Sequence, residues 1–304
     1  MTGILKNFGI VVLITTIVNC AGALILSQKL AIPSDTENFY SPAALSLAAG
    51  HGYTINEEFV YRYPPLYPIF LAAIYSITGI AGFQNPFYPF IIAMIQAFSC
   101  GFLYLIARHM NFSQRTAVLS AASFTLYPFF LLLGTTRYAW SAMPLFIFMF
   151  YTAVLLFLKS LKNFNLPLIF LSGILMGLAA LTWPGGIYAW VVCSLCGAWY
   201  AIKERKILKG TLLFLCLALG FWIAVFPWNH MIYKKTNQRV MLSSGQMLSV
   251  RDGLLRQDGE KFDSFELVQR ARVERSHGGL NDLKAVAFFI KSNSHSIHSQ
   301  QSNF

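Results

Sequence analysis

Residues 66–80 read Leu66-Tyr-Pro-Ile-Phe-Leu-Ala-Ala-Ile-Tyr-Ser-Ile-Thr-Gly-Ile80, and whether this stretch crosses a membrane decides the topology of the chain. The run is apolar, but it follows Pro64-Pro65 and carries Pro68, so it reads as a helix lying at the membrane interface. Seven other apolar runs, residues 8–26, 87–107, 116–134, 139–158, 166–181, 187–202 and 211–226, are long enough or nearly so to cross ~30 Å of hydrocarbon at about 1.5 Å per helical residue. The last three are short by count and borrow Thr, Trp, Gly or Pro at their edges. With 66–80 excluded, Lys6, Arg108, Arg115, Lys159, Lys162, Lys203, Arg205, Lys206 and Lys209 all fall on one side, which the positive-inside rule makes cytoplasmic. The opposite segments mix Lys29, Arg62 and Arg137 with Asp35, Glu37, Glu57 and Glu58. Counting 66–80 as a crossing would put Arg108 and Arg115 outside and erase that bias.

The composition agrees with this reading. Of 304 residues 56% are hydrophobic and only 12% charged, and the mean hydropathy is +0.55, which excludes a water-soluble single domain. The formal net charge of +11 would suggest a nucleic-acid partner in a soluble chain; here the cations are explained by the side on which they lie, and no nucleic acid is expected. Cys20, Cys100, Cys193, Cys196 and Cys216 all sit inside apolar runs, and Cys193-x-x-Cys196 has neither a second pair nor a nearby His, so neither a disulfide framework nor zinc is implied. Gly173-x-x-x-Gly177 reads as a helix-packing motif. The expected fold is an all-α polytopic membrane protein: a transmembrane domain over 1–228 with an outer loop at 29–65 and the interfacial helix 66–80, then an extracytoplasmic tail over 229–291 with helices at 263–274 and 281–291, then a low-complexity polar ending over 292–304.

Chemistry is expected in the outer loop. Asp35 follows Pro33-Ser34 and would cap a helix over 41–49 that carries Ala43, Ala44, Leu47 and Ala48. Against that capping role stands the arrangement around it, in which carboxylates lie directly after the first span and an aromatic segment, Tyr61-Arg62-Tyr63-Pro-Pro, leads into the interfacial helix. A carboxylate at the edge of low-dielectric surroundings can have its pKa raised and act as a base.

The motifs Tyr40-x-x-x-Ala44-x-x-Leu47-x-x-Gly50-x-Gly52-Tyr53, Pro64-Pro65-Leu66-Tyr67-Pro68, Leu105-Ile-Ala-Arg108, Gly177-Leu-Ala-Ala-Leu-Thr182 and Pro227-Trp228-Asn229, in this order over roughly residues 1–245, resemble the GT-C-type glycosyltransferases that use lipid-linked sugars. Within them the chain is most similar to the dolichyl-phosphate-mannose protein mannosyltransferase-like (glycosyltransferase family 39) and aminoarabinose-transferase group. The resemblance implies a GT-C-like helical bundle with interfacial helices in the first outer loop. It also implies inverting transfer of a sugar from a polyprenyl phosphate, drawn from the membrane lipid, to an acceptor on a protein, glycan or lipid at the outer face of a cell membrane. The acid of that loop is then the catalytic base, which points to Asp35, with Glu37 as the alternate. Arg62 and Arg137 would steady the departing phosphate, with Tyr61, Tyr63 and His51 beside them. The competing roles are a snorkelling Arg137, an Arg62 paired with Glu57 or Glu58, and a His51 that serves only the turn between two glycines. No nucleotide cofactor is expected, and a divalent metal would have to use Glu57, Glu58 or His51, for which no ligand spacing argues. Two positions depart from the family pattern: Ser141 and Ala142 stand where an acid often follows the Arg-Tyr pair, and Trp183 where an Arg is common. Family members usually continue into further spans, so a shortened or degenerate, non-catalytic homologue is the second expectation and a transporter the third.

Overall fold

A computed structural model of the chain describes residues 2–26, 36–82, 85–127, 141–203, 207–237 and 241–243. It is helical, with one short hairpin. In chain order the helices are α1 (Thr2–Leu26), α2 (Ser41–Ala48), α3 (Leu66–Thr78), α4 (Tyr88–His109), α5 (Gln114–Leu126), α6 (Met143–Asn163), α7 (Leu166–Thr182), α8 (Ile187–Lys203) and α9 (Ile207–Thr236). The strands β1 (Thr54–Ile55) and β2 (Glu58–Phe59) pair antiparallel between α2 and α3.

Among the described residues, four helical segments are long and apolar enough to cross a membrane: Gly3–Gly22, Tyr88–His109, Met143–Leu161 and Leu208–Thr236. The helices α7 and α8 have 17 residues each, about 25 Å of rise. The run expected at 116–134 is helical from Gln114 to Leu126, and the rest of it, with the helices expected in the tail, lies outside the described residues. Within residues 66–80 the helix is Leu66–Thr78, 13 residues and about 20 Å, too short to cross ~30 Å. Pro68 does not break it, because it occupies the first turn, where a backbone N–H would have no intrahelical acceptor. The helix stops at Gly79, whose φ of 68° supplies the left-handed residue that lets its N–H reach the Tyr75 carbonyl at 2.9 Å.

Packing follows from where small residues and caps fall. In the first compact unit, Met1–Pro227, α4 is the central helix and touches α1, α5 and α6. Ser113 caps α5 by accepting from the Thr116 N–H, and Asn165 caps α7 by accepting from the Leu168 N–H. The α6–α7 hairpin is tied midway by the Ser172 hydroxyl, which donates to the Ala153 carbonyl at 2.8 Å. Against α7 lies α9: a Cβ at Gly173 would overlap the Leu217 carbonyl, one at Gly177 would sit 2.7 Å from the Phe221 carbonyl oxygen, and one at Gly220 would overlap the Phe170 carbonyl. The expected packing role of Gly173-x-x-x-Gly177 is what this seam displays.

The bundle is polar at both ends and different at each. Ile4 and Phe8 of α1 pack with Tyr104, Ala107 and Ala117, which brings Lys6 to the end where Arg108 and Arg115 flank the α4–α5 turn. His109 Nε2 lies 3.0 Å from the Leu158 carbonyl beside Lys159, and the Lys209 ammonium stands over the Phe164 ring at 5.1 Å. At the opposite end, Tyr88 and Ile92 of α4, Leu145 of α6 and Ala142 just before α6 form one core with α2 and α3. The second unit, from Trp228 onward, holds the last turns of α9. There the Trp228 indole N–H donates to the Leu242 carbonyl at 2.6 Å, and the Asn229 carboxamide oxygen accepts from the Leu242 N–H at 3.0 Å. The Trp228 side chain is therefore buried, whereas that of Trp199 is exposed.

Candidate functional site

Residues 36–65, which lead into α3, are folded. A single π-helical turn, Thr36–Tyr40, leads into α2, whose Pro42 fits the first turn. The chain then reverses at Gly50 and Gly52, with φ of 80° and 84°, values that side-chain-bearing residues rarely adopt. The hairpin turns through Asn56 and Glu57, both at positive φ, the geometry that suits the twist of a two-residue connection. The Ser46 and Thr54 hydroxyls, 2.7 Å apart, fasten α2 to β1.

Tyrosines hold this unit to the bundle. The Tyr67 and Tyr88 hydroxyls bond at 2.8 Å and join α3 to α4, while the Ser41 and Tyr75 hydroxyls at 3.3 Å join α2 to α3. Asn85 ties the end of α3 to the start of α4: its Nδ2 donates to Thr78 Oγ1 at 2.8 Å and to the Ile80 carbonyl at 2.9 Å, and its Oδ1 accepts from the Phe87 N–H at 3.0 Å. The Tyr53 hydroxyl donates to the Tyr63 carbonyl at 3.2 Å, and burial pushes its pKa above the ordinary value near 10, so the phenol stays neutral. Tyr40 meets the Tyr63 ring at 5.0 Å and the Tyr67 ring edge-on at 4.9 Å.

On this base sits Arg62. Its guanidinium carbon lies 4.9 Å from the Phe39 ring centroid and 5.8 Å from that of Tyr63, and the two rings are themselves 5.1 Å apart. Among the described residues no carboxylate pairs with it, so the alternative in which Glu57 or Glu58 neutralises Arg62 is not what the structure contains. A guanidinium engaged through its face keeps its in-plane N–H donors for an anion, and the planar fork matches two oxygens of a phosphate or carboxylate. Glu37 is exposed on the π-helical turn two residues before Phe39. Tyr61 is half-buried, its ring stacked 6.2 Å from that of Phe59. Glu57, Glu58 and His51 are exposed around the hairpin and the glycine turn, and no group of three His, Cys, Asp or Glu among the described residues could hold a metal.

The structure thus brings together Arg62 and Tyr63, adds Phe39 and Tyr40, and leaves His51 on a turn with its N–H bonded to the Ser46 carbonyl at 3.0 Å. Asp35 and Arg137 lie outside the described residues. Sequence reading passed over Phe39, although an isolated arginine between two tyrosines and an aromatic pair beside Glu37 was the signal that could have found it. No protein-family model matches the chain, nor does any curated protein or solved structure.

Proposed function

We propose that the chain transfers a sugar from a polyprenyl-phosphate donor to an acceptor hydroxyl at the outer face of a cell membrane, with inversion, in a GT-C-like bundle of seven spans whose N terminus is cytoplasmic. The observation that supports this most is Arg62 on its aromatic cradle, with no carboxylate partner among the described residues, at the end of the bundle opposite Arg108, Arg115 and Lys159. In this reading the loop carboxylate, Asp35 or else Glu37, takes the proton of the acceptor hydroxyl as its oxygen bonds to the anomeric carbon. The bond from that carbon to the phosphate oxygen breaks, and the lipid phosphate leaves with the electron pair. Arg62, with Arg137, stabilises the negative charge that grows on the leaving phosphate. The acceptor is a protein, glycan or lipid hydroxyl, and no nucleotide takes part.

The test is incubation of membranes carrying the chain with radiolabelled polyprenyl-phosphate sugars, comparing wild type with Asp35→Asn and Glu37→Gln. The reading expects transfer by the wild type and loss of about two orders of magnitude or more in one carboxylate variant, within the range general bases contribute. Equal turnover in both variants removes the carboxylate assignment. Transfer from no donor leaves the degenerate scaffold as the better account, a reading that the exposure of Glu37 and His51 favours.

A further inference from the structure

One face of α1 makes its seam with α4 and α5: Phe8, Val12, Thr15 and Asn19 recur at the spacing of a single helical stripe. Phe8 stacks on Phe102 at 6.2 Å, a Cβ at Gly101 would collide with Phe8 and Val12, and Thr15 Oγ1 lies 3.1 Å from Thr125 Oγ1. Asn19 is the next step of the stripe and is 1% exposed, yet neither Oδ1 nor Nδ2 has a hydrogen-bond partner among the described residues. It lies three residues inside the end of the apolar segment Gly3–Gly22, about 5 Å along the helix. An amide closed off there without a bond is too costly to leave unexplained.

Proton accounting around Thr15 narrows what completes it. Thr125 Oγ1 is 2.9 Å from the Ala121 carbonyl and 3.2 Å from Cys100 Sγ as well as 3.1 Å from Thr15, and it has one proton to give. Whichever way that proton points, the Thr15 oxygen keeps a lone pair. Residues four apart on one helix face have Cβ atoms about 5–6 Å apart, a gap that one water spans with two bonds of ~2.8 Å. We propose that the α1–α4–α5 seam binds a structural water that accepts from Asn19 Nδ2–H and donates to Thr15 Oγ1. The ligand class is water because the described polar groups of this stripe, the Asn19 carboxamide and the Thr15 hydroxyl, are uncharged and include both donors and acceptors.

Asn19-Cys20 is an Asn-Cys pair that occurs once in the sequence, so paired isotopic labelling identifies Asn19 without a substitution. The experiment is water-edited solid-state NMR of the full chain in bilayers with deuterated acyl chains, reading magnetisation passed from H2O to the Asn19 side-chain nitrogen. The expected result is transfer at short mixing times that falls several-fold in Thr15→Val. An Asn19 signal fed only by protein protons, or one that Thr15→Val leaves unchanged, overturns the proposal.

Discussion

At Arg62, two aromatic rings hold a cation that has no carboxylate partner among the described residues. A cation–π contact is worth about 0.5–1 kcal/mol at an exposed site, enough to bias the side chain's position and too little to compete with a phosphate for its N–H groups. Phe39→Ala is therefore expected to raise the KM for a polyprenyl-phosphate donor several-fold while kcat changes little, as read from initial rates over a donor series. Tyr53 gives a second expectation. Its folded pKa lies above its unfolded value near 10, so the neutral phenol contributes stability that is fully present below pH 10 and is lost as pH rises through the folded value. Limited proteolysis of the loop across pH 8–12 should show protection that fails only at the alkaline end, and Tyr53→Phe should remove that alkaline step. The aromatic density of 59–67 was legible in the sequence. That Phe39 would fold back under Arg62 was not, because the contact depends on the glycine reversal and the hairpin between them.

Among the elements, α3 shows how much a pattern can carry. Its length, the proline before it and the glycine after it were readable, and the buried stripe Tyr67, Leu71, Ile74 and Tyr75 lies on one face. Its hydroxyl bond to Tyr88 was not, since nothing local couples residues 67 and 88. Losing one partner of a neutral hydrogen bond costs about 1 kcal/mol net, whereas removing both from a buried site approaches neutrality. Tyr67→Phe should thus lower stability by roughly that amount, and Tyr67→Phe/Tyr88→Phe should lower it by less than the sum of the single variants, measured by thermal melts in one detergent. The α7–α9 seam has no such tolerance. Gly220→Leu would drive a side chain into the Phe170 backbone, so a loss above the ~3 kcal/mol upper end of ordinary overpacking is expected, while Gly9→Leu, with open space around its Cβ position, should be nearly silent. The Gly173-x-x-x-Gly177 spacing announced this seam; its partner Gly220 carries no motif of its own.

For the whole molecule, charge partition and helix packing tell one story. Five of the nine cations placed together from loop counting, Lys6, Arg108, Arg115, Lys159 and Lys209, belong to the end of the bundle where α1 begins and α4 ends, and α2 and α3 belong to the other. Sealed vesicles of known orientation, carrying His51→Cys or Arg115→Cys in a background without native cysteines, should be labelled by an impermeant maleimide from opposite sides, His51→Cys from the outer face. Hydropathy made the helical character and the four membrane-length segments readable because a bilayer constrains helix length strongly; the contacts of Arg62 were only half readable because they form through long-range folding of the loop. Purified chain in liposomes, given a radiolabelled polyprenyl-phosphate sugar and an acceptor hydroxyl, tests the central claim: wild type should release polyprenyl phosphate and transfer label at least ten times faster than Arg62→Ala, whereas equal rates in the two, or no transfer by wild type with any donor, would contradict it.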